Sequence, residues 1–145
     1  MLDPATVPEV DPTETLTRYI LYSKHFSCIQ PDVFRVKPDA FLPFKYVELS
    51  VTRHLKASEA ELWSEGQRVS AIRKSNLYGR ADVATLEFMK QSLAVVAKPL
   101  PENPNHADAL GWPTERPAQM MKATLIAAAA TFRAKPESVQ HSATA

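Results

Sequence analysis

The chain has 145 residues, 45% of them apolar and 23% charged, with a formal net charge of +1 and a single cysteine. That length suits one ordinary domain with a real hydrophobic core, and the composition is that of a soluble globular protein rather than a fibrous or disulfide-stapled one. No stretch approaches the roughly 20 apolar residues of a membrane helix, the charge lacks the clustered basic footprint of a committed nucleic-acid binder, and Cys28 alone suits a reducing cytoplasm.

Residues 1–14 place Pro4, Pro8 and Pro12 among Asp3, Glu9, Asp11 and Glu14. They show neither the basic start nor the apolar run of a secretory signal, and the composition predicts a disordered acidic leader. Thr17 to Ser23 is rich in aromatic and aliphatic residues and predicts a first strand. His25 to Phe44 is punctuated by Pro31, Pro38 and Pro43, which excludes a helix, although Val33 to Val36 suits a short edge strand.

Tyr46 to His54 alternates cleanly. In a strand with a side-chain period of two, Val47, Leu49 and Val51 face one way, and Glu48, Ser50, Thr52 and His54 face the other. The expectation is a half-buried strand that shows hydrogen-bonding groups to something other than the core. Ser58 and Glu61 have the spacing of a capping box, opening a helix to about Lys74 with Leu62, Val69 and Ile72 on one face.

Leu77 to Arg80 predicts a turn or short strand. Asp82 is expected to cap a short helix containing Leu86 and Met89, and Ser92 to Ala97 to form another strand. Pro99, Pro101, Pro104 and Pro113 mark residues 98–113 as a loop. A last helix is then capped by Thr114, accepts Pro117 in its first turn, and buries Met121, Leu125, Ala128 and Phe132. Residues 134–145, with His141, predict a disordered tail. The body, residues 15–133, is expected to be a single α+β domain, a small largely antiparallel sheet with about three helices on one face.

Three histidines of the body are candidates for chemistry. His25, His54 and His106 stand far apart in sequence, without the local ligand pairs of a zinc site, so no metal and no cofactor is expected. As acid–base groups they suit proton transfer near neutrality. Glu48 and His54 are six residues apart, about 20 Å along a strand, and cannot form a dyad. Ordinary solvated or hydrogen-bonded histidines are the simpler reading.

Residues 16–56 hold seven Lys and Arg against three acids, an excess that attracts an anion. Arg18, Lys24, Lys37, Arg53 and Arg80 are candidate anion ligands because guanidinium groups grip carboxylate and phosphate bidentately. Neither a P-loop nor a dinucleotide-binding glycine turn is present. Cys28, between Ser27 and Ile29, has no helix start beside it and reads as a structural cysteine. Phe41, Phe44, Tyr46 and Trp112 lie in proline-rich segments, suited either to core lids or to a partner surface.

Val36–Pro43, Glu48–Arg53 and the Asn105-His-Ala with Gly111-Trp-Pro segments resemble small bacterial and phage proteins, a likeness that implies no activity. The expected function is a cytoplasmic accessory protein. It would bind a partner protein, a small anionic ligand or nucleic acid through an open sheet face and a basic, aromatic N-terminal third. Glu48, Ser50, Thr52, Arg18, Lys24, Arg53 and Arg80 would contact the ligand. The alternative is a small enzyme acting on a phosphate-containing or nucleotide substrate, with His25, His54 and His106 converging on the arginines.

Overall fold

The computed structural model describes residues 2–43 and 47–139. Among them the strands are β1 (Thr15–Ile20), β2 (Phe26–Gln30), β3 (Val33–Val36), β4 (Leu49–Arg53), β5 (Gly79–Ala84), β6 (Ala94–Ala97), β7 (His106–Leu110) and β8 (Thr131–Ala134). The α-helices are α1 (Glu59–Ile72), α2 (Thr85–Met89) and α3 (Arg116–Ala129). Six strands form one antiparallel sheet in the order β6-β7-β4-β1-β5-β8, and β2 and β3 form a separate hairpin. The chain is thus a single α+β domain. None of its described helices is long and apolar enough to cross a membrane.

The two faces of the sheet follow from strand alternation. Leu16, Ile20, Leu49, Val51, Val83 and Ala107 share the larger core, closed by Phe88 of α2, Ala123 and Ile126 of α3, and Phe41 from the 3-10 turn Pro38–Phe41. Tyr19 points to the other face, where α1 covers it through Trp63, together with Leu77. Helix α1 therefore lies apart from the other two, on the opposite side of the sheet. Ser58 and Glu61 make the reciprocal bonds of the expected capping box at its start. The helix can approach closely because Gly66 faces the Tyr19 ring, and a Cβ there would stand 2.9 Å from a ring carbon. The Tyr19 hydroxyl donates to the Leu62 carbonyl at 2.5 Å.

Several elements differ from the sequence expectation. Gly79–Ala84 is a buried inner strand although it contains Arg80 and Asp82, and Asp82 caps nothing. Residues 106–110 and 131–134 add two strands, one of them inside the expected proline loop. Phe26–Gln30 pairs with β3, and its Phe26 stacks on Phe132 with ring centroids 5.0 Å apart. In α3 the expected face is inverted: Met121 is 72% and Leu125 57% exposed, while Ala123, Ile126 and Ala127 are buried. That helix carries two apolar stripes, and the one rich in alanine turns inward, where short side chains allow a close approach to the 3-10 turn Pro38–Phe41. Its N-cap is Glu115, without a side-chain bond from Thr114. In α2 Phe88 is buried, while Leu86 and Met89 are exposed.

The leader is not a free extension. Leu2 is buried, Asp3 caps a 3-10 turn at Pro4–Thr6, and the carbonyls of Pro12 and Glu14 accept from the amides of Leu86 and Thr85. Proline and acid content argued for disorder; a buried arginine in β4 outweighs it, as described below.

Candidate functional site: a cleft between the sheet and helix α1

The β1–β4 ladder has two pairs, Leu16 with Arg53 and Thr17 with Thr52. Beyond it the strands open, and the Arg18 side chain occupies the gap. Its Nε donates to the Ala40 carbonyl at 3.0 Å and its Nη1 to the Ser50 carbonyl at 2.9 Å. A guanidinium has five N–H donors, so three remain. No carboxylate among the described residues pairs with it. Burial, then the nearby charge of Arg73, brings Arg18 down to about 10, which still leaves it cationic at neutral pH.

This gap is the floor of a cleft of about 270 Å³ bounded by β1, β4, the C-terminal half of α1 and the loop before β7. Its cationic end is built from Arg18 and Arg73, with His25 beside them and Tyr22, Val69 and Ile72 as apolar wall. His25 is half-buried in the 3-10 turn Ser23–His25, with its ring edge-on to Tyr22 at 5.2 Å. Desolvation, followed by the charge of Arg18, lowers it to about 4, so its imidazole is neutral at pH 7. His106 also lines the cleft. Its Nδ1 donates to the Lys98 carbonyl at 2.9 Å, and its Nε2 lies 3.6 Å from Asp108 Oδ1.

The other arginines of the sheet are fully engaged. Arg53 is 0% exposed, bound bidentately to Glu14 at 2.8 Å through Nε and Nη2, and it also donates to the Pro8 and Glu9 carbonyls. This is what fastens the leader. Arg80, equally enclosed, takes both oxygens of Glu59 at 2.9 Å, approaches Asp82 at 3.1 Å, and stands 4.9 Å from the centre of the Trp63 ring. Both were expected to hold a ligand; instead, carboxylates of the chain itself occupy them, as buried charge requires.

His54 belongs to this second region. Its Nε2 is 2.5 Å from Thr17 Oγ1, which donates to Asp82 Oδ1 at 2.7 Å, and Arg133 donates to Oδ2 at 2.9 Å. Burial alone would raise the Asp82 carboxyl, but hydrogen bonds from His54, Thr17 and Arg80 outweigh it and hold it at about 2. Thr17 is a poor nucleophile, being wholly buried and already donating its one proton to a carboxylate.

The expected open face survives in part. Ser50 is exposed and lines the cleft, whereas Thr52 is buried beneath Asn103, whose amide donates to its hydroxyl at 3.2 Å. Glu48 is exposed just before β4, and Lys24 is exposed on the turn that carries His25. Phe41 and Trp112 are core residues rather than a partner surface. Phe41 meets Phe88 edge-on, and the Trp112 indole donates to the Ala109 carbonyl, so their loops act as lids. Phe44 and Tyr46 lie outside the described residues. Of the expected residues the cleft therefore unites Arg18, His25, Ser50, Thr52 and His106, and separates His54, Arg53 and Arg80 from them.

Arg73, Arg68, Glu65 and Glu102 were not singled out from the sequence. For the first three the available signal was placement on α1 and its C-cap: residues 61, 65, 68–69 and 72–73 follow helical spacing and share one face, distinct from the pattern of Leu62, Trp63, Gly66 and Ser70 that buries the helix. Glu102, in the loop before β7, carried no such signal. Among the described residues no group of three or more His, Cys, Asp or Glu side chains is arranged to hold a metal ion. No family model, no curated protein and no solved structure matches the chain.

Proposed function

We propose that the protein is a binding module, without catalytic chemistry of its own, that holds the anionic group of a ligand at Arg18. One observation carries this reading: among the described residues the half-buried Arg18 is met by two carbonyls and no carboxylate, whereas the enclosed Arg53 and Arg80 are each met by carboxylates. A partly desolvated charge without a counter-charge is less stable than a paired one, and an arriving carboxylate or phosphate supplies the missing partner. His25, neutral and beside it, adds no competing charge. The separation of His54 from His25 and His106 favours binding over the enzyme alternative, which needs all three histidines together.

The test is a titration of the isotope-labelled protein with acetate and, separately, with inorganic phosphate at constant ionic strength, followed at Arg18 Nε and the His25 ring. Saturable shifts at both groups are expected in the native chain, weaker in Arg73→Gln and absent in Arg18→Gln. Non-saturable shifts, or shifts of equal size in folded Arg18→Gln, would overturn the reading.

A further inference from the structure

The Arg18 cleft does not end at Arg68. A second cavity, of about 330 Å³, continues along α1 toward its N-terminus and shares Thr52, Glu65, Arg68, Glu102 and Asn103 with the first. Together they make one groove between α1 and the loop before β7, and the charge along it is polarised. Glu61 stands at the far end, Arg18 and Arg73 stand at the near end beside Val69 and Ile72, and Glu65 and Glu102 line both cavities at the waist. Arg68 sits at the waist and is spoken for, its Nε and Nη2 bonded to Glu65 at 2.7 and 2.5 Å. Glu61 gives one oxygen to the Ser58 amide and keeps the other.

We infer that the groove takes an extended peptide segment, its C-terminal carboxylate at Arg18 and a basic side chain or amine at the Glu61–Glu102 end. This rests on the anion-binding role of Arg18 and adds to it the class of ligand and its direction. Length supports a peptide. From Glu61 to Arg73 the helix rises by about 18 Å at 1.5 Å per residue, the span of about five extended residues at 3.3 Å each. A small monoanion would fill the near end and leave the acidic end unused. The apolar wall at Val69 and Ile72 (the latter 64% exposed) suits aliphatic side chains just before the C-terminus. The three free N–H groups of Arg18 suit a planar carboxylate held by two of them.

The experiment titrates the full chain with pentapeptide pools of Lys followed by four positions drawn from Ala, Val and Leu. The pools carry either a free C-terminus or an amide, and a parallel set begins with acetyl-norleucine. The free-acid Lys pool is expected to bind about tenfold more tightly than its amide, the gap expected of a charge-assisted bidentate contact. Replacing Lys is expected to weaken native binding several-fold and to have little effect in Glu102→Gln. Equal binding of acid and amide would overturn the Arg18 reading and this inference with it. A preference for the free acid that ignores the first residue would overturn the peptide's polarity while leaving Arg18 in place. Shifts with acetate but none with any pool would overturn the peptide itself.

Discussion

Arg53 and Arg18 start from adjacent strands of one sheet, and their surroundings differ in burial, which is complete at Arg53 and partial at Arg18, and in the groups that meet them. Arg53 is met by a carboxylate from the N-terminal segment and by two further carbonyls. Arg18 is met by carbonyls only. Around Arg80 and Asp82 the charges are likewise paired, with Glu59, Arg133, Thr17 and His54 completing a network that opens to solvent at Glu59 and Arg133. A buried guanidinium that the chain neutralises is architecture. One that the chain leaves open at the bottom of a cleft carries an unmet demand, and such departures from local consistency concentrate at functional sites.

The sharpest way to break this contrast is Arg53→Met. It leaves the Glu14 carboxylate with no cationic partner and releases the leader, so a loss of about 3–5 kcal/mol is expected in chemical denaturation. A loss under 1 kcal/mol would mean that the saturated arginines are no more structural than Arg18. The second test concerns Asp82. Its carboxyl is depressed from 3.8 to about 2, so the stabilisation it gives is complete above about pH 4 and is lost as pH falls through about 2. With 1.36 kcal/mol per unit, that is about 2 kcal/mol. Asp82→Asn should flatten the acid limb of the stability curve over that interval, and an unchanged limb would show that Asp82 is not the group responsible.

A smaller change is expected for Arg18→Met. Two hydrogen bonds to carbonyls are lost, but an unneutralised, half-buried charge goes with them. The net effect in the absence of ligand should stay within about 1 kcal/mol. The contrast with Arg53→Met, measured in the same buffer, is the direct comparison of the two regions. The finest test leaves stability aside. His25 is held near 4 by burial and by Arg18, so its ring titration followed by NMR should move upward in Arg18→Gln. It should also move upward when acetate occupies the cleft. A titration indifferent to both would place Arg18 too far from His25 to share a site.

Local patterns in the chain spoke most clearly where one interaction decided the outcome. The Ser58–Glu61 capping box, the alternation of Leu49, Ser50 and Val51, and the short strand Val33–Val36 were all legible because neighbouring residues settle them. The failures came where distant partners decide. Arg80 and Asp82 look like turn residues until Glu59 and Arg133 neutralise them inside a strand. Met121 and Leu125 look like the buried stripe of α3 until the alanines opposite prove the better fit to the 3-10 turn Pro38–Phe41. The acidic leader looks unstructured until Arg53 gathers it.

The candidate site shows the same division. Arg18, His25, Ser50 and His106 could be selected by residue type, since cationic and titratable groups are few in a segment of alternating polarity. Which of them meet was beyond the sequence, because His54 and Ser50 lie on one strand yet serve different regions of it. By itself the sequence determined the α+β class, the start of α1 and the polar parity of β4, all consequences of short-range periodicity. Only the tertiary structure decided which arginines find carboxylates, because that depends on residues brought together across tens of positions, and with it where the chain's own charges leave a cation unanswered.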